Sequence, residues 1–173
     1  PGYAKRYLPK DRGSSTLTAL VDFGRYDIDN LEPCDGSSFD LIRVSLFEKD
    51  IDNIFDFCMK VKERGYRLSI QPMDTYSYSE ENVRKVIQMA NRIKPETLSI
   101  VDTYSVATTD DVVRVYKLYE ESLSPGIKIG FHSHNNQLNS FALARKFIEV
   151  SNPDRGLVID CSLYGMGRGG GNL

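Results

Sequence analysis

Tryptophan is absent from the 173 residues, histidine occurs only twice and cysteine only three times. Two histidines are too few for the metal centres of amidohydrolase-type barrels, which need more. Cys34, Cys58 and Cys161 form no C-x-x-C and are odd in number, so a disulfide framework is not expected and a reducing, cytoplasmic setting is. No apolar run approaches the roughly 18–20 residues of a membrane span, and no basic-then-apolar leader opens the sequence. Pro1 in place of methionine reads as a trimmed or partial chain. A charge surplus is missing too. Lys and Arg number 22 against 24 Asp and Glu, a formal net charge of −2, which excludes the basic footprint of a nucleic-acid partner.

What is present suits one domain over 1–173, opening with a polar lead-in at 1–16. At 40% hydrophobic and 27% charged residues, the chain can bury a core and remain soluble. Six short apolar runs rich in Val, Ile and Leu recur: "LTALVDFG" (17–24), "LIRVSLF" (41–47), "YRLSIQP" (66–72), "TLSIVDT" (97–103), "IKIGFHSH" (127–134) and "GLVIDCSL" (156–163). Their length and composition predict strands. Helical spacing fills four of the gaps. The faces predicted to be buried are Ile51, Ile54, Phe55, Cys58 and Val61 in 51–64; Val83, Val86, Ile87, Ala90 and Ile93 in 80–94; Val112, Val115, Tyr116 and Tyr119 in 109–122; and Leu138, Phe141, Ala142 and Ile148 in 137–150. Ser79 and Thr108 are predicted N-caps, with acids in the turn that follows. Gly65 and Pro95 are stop signals, and 24–41 reads as a loop.

Alternating strands and helices imply a parallel sheet, either a doubly wound open sheet or a TIM (β/α)8 barrel. A full barrel takes about 250 residues, so six strands fit a partial barrel with about six parallel strands. Side-chain alternation favours the barrel. An open sheet covered by helices on both sides is apolar on both faces. Here Lys128, Gly130, His132 and His134 share one face, and Arg43 with Ser45, and Asp160 with Ser162, repeat the polar phase on other strands.

His132 and His134, at i and i+2 near a strand's C-terminal end, project side by side about 6–7 Å apart. That end is where barrel active sites lie, and two imidazoles there can converge on one metal ion. Asp102 and Thr103 sit at another strand end as candidate substrate-binding residues, and Arg43 could meet an anionic substrate. The closing "YGMGRGGGNL" formally contains G-x-G-x-x-G, but no helix and acid follow it as a dinucleotide site requires. It reads either as a tail or as a loop bringing Asn172 to the metal. "CDGSSFD" (34–40) lacks calcium-loop spacing and reads as a turn.

"GFHSHNNQLNSFALA", followed about 25 residues later by "DCSLYGMGRGGGN", resembles the last two strands of the DRE-TIM metallolyases, the barrel family that includes 4-hydroxy-2-oxovalerate aldolases, HMG-CoA lyases and isopropylmalate synthases. "VDTYS" resembles the element ending that family's sixth strand. The resemblance implies that the six strands correspond to strands three to eight. It implies a divalent metal, manganese first, with magnesium, cobalt and zinc as alternatives. His132, His134 and Asn172 would be its ligands, and Thr103 and Asp102 would lie beside a small-molecule 2-oxo acid.

The family's first-strand D-x-x-x-R-D-G-like motif, which supplies an Asp ligand and a catalytic Arg, is absent, and no catalytic residue can be assigned. The reactive cysteine of the CoA lyases is also missing from "GMGRGGG", which points to the oxovalerate-aldolase branch. The implied function is a metal-dependent aldolase acting next to a 2-oxo acid, in a chain expected to be catalytically incomplete. The alternatives are a Claisen-type acyltransferase, a non-catalytic barrel-derived binding module and a nucleotide-binding open sheet. Unpaired strand edges predict association, including a homo-oligomer, and no nucleic-acid or membrane partner is expected.

Overall fold

A computed structural model of the chain describes residues 3–9 and 11–162; the glycine-rich end, with Asn172, lies outside the described residues. Each apolar run supplies one strand: β1 (Thr18–Asp22), β2 (Leu41–Leu46), β3 (Arg67–Pro72), β4 (Thr97–Asp102), β5 (Lys128–Ser133) and β6 (Leu157–Ile159). All neighbours pair in parallel, and the spatial order β1-β2-β3-β4-β5-β6 is the chain order. A doubly wound sheet reverses direction at a switch point; this one never does. It also curves. Arg43 on β2 pairs with Asp160 just beyond β6. Four flat strand spacings would hold those strands about 19 Å apart, beyond the reach of the two side chains. The structure is a six-stranded arc of a (β/α)8 barrel.

Among the described residues the helices are α1 (Phe55–Glu63), α2 (Glu80–Ile93), α3 (Thr109–Ser122) and α4 (Ser140–Val150). Between β1 and β2 there is only a short 3-10 turn, Ile28–Asn30, as the loop reading of 24–41 anticipated. Ser79 and Thr108 cap α2 and α3 by accepting from Asn82 N and Asp111 N. Lys94 in the left-handed region closes α2 before Pro95. None of these helices is long and apolar enough to cross a membrane.

Two helical faces depart from the periodicity. α1 starts at Phe55 rather than 51, because a 3-10 turn over Glu48–Asp50 and the turn after it bury Ile51 and Ile54 without a regular helix. In α4 the predicted apolar face is the wrong one. Leu138, Phe141 and Ile148 are exposed, and so is Ala142, whereas Leu143, Ala144 and Phe147 are buried. Phe147 decides the rotation: it stacks on Phe131 of β5 at 5.2 Å and meets Tyr116 of α3 edge-on at 5.6 Å.

The main core lies between the helices and the outer strand face, built on Ile42, Val44, Leu68, Ile70, Leu98, Ile100, Ile129 and Phe131. The inner face is polar. Gln71 Nε2 donates to Ser69 Oγ and Ser99 Oγ, both at 2.9 Å. A Cβ on Gly130 would stand 2.2 Å from Ser99 Oγ, so the strand carrying the histidines needs glycine there. At the N-terminal end of the sheet, Glu96 ties β3 to β5, accepting two hydrogen bonds from Arg67 and one from Lys128.

Candidate metal and oxo-acid site

Alternation along β5 turns Gly130 and His132 inward, and the short extension of the strand adds His134, whose N–H reaches Asp102 O at 3.3 Å. The two rings meet nearly edge to face, with Nε2 atoms 3.4 Å apart. Each Nδ1 is already committed. His134 Nδ1 lies 2.7 Å from the Thr103 carbonyl oxygen, which can only accept, so this nitrogen carries the proton. His132 Nδ1 donates to Asp160 Oδ2 at 2.6 Å. Burial works to raise the Asp160 pKa, but hydrogen bonds from His132 and Arg43, with the Arg43 charge, outweigh it and hold the carboxyl below its usual value.

Neutral imidazoles protonated on Nδ1 present bare Nε2 lone pairs. Two such pairs at 3.4 Å repel unless a cation lies between them. That separation suits two ligands about 2.1 Å from one ion at an angle of about 108°. Carboxylate and carbonyl partners behind metal-binding imidazoles orient the rings and raise their basicity. The histidine pair therefore fits a divalent metal. Among the described residues no group of three His, Cys, Asp or Glu side chains is arranged to hold an ion.

The pair borders a cavity of about 170 Å³ lined by Leu20, Asp22, Arg43, Ser45, Gln71, Met73, Val101, Thr103 and both histidines. A larger cleft of about 540 Å³, around Glu120, Asn152 and Arg155, contains no imidazole. Arg155 there ties the end of α3 to its loop, donating to the carbonyls of Leu123, Ser124 and Ile127, which is a structural task.

The predicted site residues separate into groups. His132, His134, Thr103 and Arg43 share the cavity. Thr103 does two jobs: its carbonyl holds His134, and its Oγ1 accepts from Asp74 N at 2.8 Å. Asp102 is fully buried and does not line the cavity. It accepts from Val106 N and Ala107 N and shapes the loop leading to α3, while burial raises its pKa. Asn172 is not described. No sequence motif marks Asp160, Asp22, Ser45 or Gln71 as a site residue. Asp160 carried a signal, since it stands on the polar phase of its strand. Asp22 carried a weaker one, an acid at the end of an apolar run.

The comparisons with known proteins point to one family of barrels. The HMGL-like family model matches residues 41–173. The homocitrate synthase of Pyrococcus horikoshii is 27% identical over 110 residues, covering 64% of this chain and 28% of that protein. The 4-hydroxy-2-oxovalerate aldolase 2 of Comamonas testosteroni is 24% identical over 156 residues, covering 90% of this chain and 43% of its own. The carboxyl transferase domain of Rhizobium etli pyruvate carboxylase superposes with a TM-score of 0.73 at 14% identity, over 91% of this chain and 30% of that one, a likeness of fold. The chain thus spans less than half the length of the curated relatives it matches. With the family model covering most of the sequence and the barrel arc in place, the chain belongs to the HMGL-like family, within the DRE-TIM superfamily of lyases and synthases whose members use divalent metals.

Proposed function

We propose that this chain forms the metal and oxo-acid side of an aldolase that makes or breaks the carbon–carbon bond next to a 2-oxo acid of the pyruvate type. The observation that carries the reading is the pair of Nε2 lone pairs at 3.4 Å, each imidazole fixed from behind. His132 and His134 would hold the ion, manganese first, with Asn172 as a further ligand. A divalent ion bound there supplies Lewis-acid stabilisation of the negative charge that develops on the keto oxygen as the bond breaks.

The chain's own groups prepare the site for that anion. Asp160 accepts a hydrogen bond from Nδ1–H of His132, and the Thr103 carbonyl accepts one from Nδ1–H of His134, so both rings are held with Nε2 facing inward. Thr103 Oγ1 already accepts from Asp74 N, which leaves its own proton free for a substrate carboxylate. Arg43 offsets the charge of Asp160 and gives the cavity its cationic side. The Asp and Arg of the family's first-strand motif are not in this sequence, so turnover is proposed for the full gene product. Among the described residues the outer edges of β1 and β6 are unpaired, which favours association, and three free cysteines suit a reducing compartment.

The test is elemental mass spectrometry of the purified chain beside the His132→Ala/His134→Ala double variant. Near-stoichiometric divalent metal, lost in the variant, is expected; no metal in either after incubation with manganese or cobalt would refute the site. The similarity to a homocitrate synthase favours a second reading, a Claisen-type acyl transfer at the same metal. Dependence of product formation on acetyl-CoA would identify it.

A further inference from the structure

Donors and acceptors are distributed unevenly around the histidine cavity. On the β4–β5 side stand the imidazoles and Thr103. On the β1–β3 side stand Asp22, Ser45 and Gln71, with Leu20, Met73 and Arg43, whose guanidinium is held by Asp160. Ser45 Oγ donates its proton to Asp22 Oδ1, so toward the cavity it offers only lone pairs. Gln71 Nε2 spends both protons on Ser69 and Ser99, leaving its amide oxygen as an acceptor. Among the described residues, the other Asp22 oxygen has the exposed Arg25 guanidinium nearby, at 3.7 Å. Three neighbouring groups thus accept hydrogen bonds, and none of them has a proton to give. Their ligand must bring the donors.

We infer that the β1–β3 side of the cavity is the subsite for the second reactant, and that Asp22, Ser45 and Gln71 select a hydroxylated aldehyde over an alkyl aldehyde or an acyl carrier. The inference rests on the oxo-acid reading and adds the partner's chemistry. With Arg43 already paired to Asp160, a carboxylate or phosphate beside Asp22, Ser45 and Gln71 would face acceptors and the Asp22 charge. An alkyl chain would leave the acceptors unpaired, a larger penalty than a lost contact. A hydroxyl on the carbon next to the aldehyde meets the acceptors while its methylene packs on Leu20 and Met73. The reaction balances without a further reagent. C3 of the oxo acid bonds to the aldehyde carbon, and the aldehyde oxygen gains the proton that C3 loses.

The test compares two six-carbon acids by calorimetric titration of the manganese-loaded chain: 4-hydroxy-2-oxohexanoate and 4,5,6-trihydroxy-2-oxohexanoate, with pyruvate as the shared head. The trihydroxy acid is expected to bind about tenfold tighter or more. In Asp22→Ala that advantage falls below about threefold; Asp22 is half-exposed on the edge strand, and far-UV dichroism with thermal unfolding checks that the variant folds. Pyruvate binding with equal affinity for the two long acids, or an advantage that survives Asp22→Ala, overturns the inference alone. Asp22-dependent binding of the trihydroxy acid without any binding of pyruvate overturns the oxo-acid reading and keeps the subsite. Failure of all three acids to bind overturns both.

Discussion

The two faces of the sheet come from the same six strands, one residue out of phase, yet they follow different rules. Outward, Ile70, Leu98 and Ile129 are fully buried among helix side chains, and their contribution is set by volume and contact. Inward, Ser69, Gln71 and Ser99 are almost as buried but linked by hydrogen bonds, and Arg43, Asp160 and His132 form a hydrogen-bonded chain. Barrel interiors are usually filled by branched aliphatic residues. Here the outer face holds the fold together and the inner face keeps polar groups in register for chemistry.

Substitutions on each face should separate these roles. The largest effect is expected outside. Phe147→Ala removes the ring stacked on Phe131 and should cost about 3–5 kcal/mol in urea unfolding, while leaving metal affinity per folded molecule unchanged. On the inner face, Gly130→Ala drives a Cβ into Ser99 Oγ and parts the Gln71 link, a loss of about 1–3 kcal/mol by the same measurement. Asp160→Asn should invert the pattern: manganese affinity, read by calorimetric titration, falls about 10–100-fold, with a smaller change in unfolding. Equal damage to stability and metal binding from all three would erase the distinction between the faces.

The smallest effect is electrostatic. Hydrogen bonds from Arg67 lower the Glu96 pKa below its ordinary 4.5. A depressed carboxyl stabilises the fold fully above the unfolded value and loses that contribution as the pH falls through the folded one. Glu96→Gln should therefore lower Tm slightly at pH 6, and the difference should shrink as the pH falls below 4.5. A gap that persists in acid would mean packing rather than charge, since the half-exposed Arg67 keeps the pair modest.

Much of the fold was legible because strand alternation is a period-two signal with few competitors. Lys128, Gly130 and His132 in phase were enough to favour a barrel interior over a covered sheet. The same rule separates Asp102 from Thr103, which as adjacent residues face opposite ways; treating them as a pair placed a loop-shaping carboxylate in the substrate site. The rotation of α4 was not legible. Leu138, Phe141 and Ile148 are apolar at helical spacing, and only the stacking of Phe147 on a ring distant in sequence fixes which side turns inward. Asp160 was visible as an inward residue, but its role depends on His132, 28 positions earlier. The acceptors at Asp22, Ser45 and Gln71 become a group only when three strands align.

The Arg43–Asp160 strut has a kinetic consequence. Every strand pairs with the one before it in sequence, so the arc can grow by short steps, each closing a modest loop. The strut joins residues 117 positions apart and cannot form until β6 has docked. Asp160 reaches His132 in that same step, so one imidazole stays rotationally free until the last strand arrives. Protection of the β5 amides should therefore precede the slow step in refolding, and manganese binding should follow it.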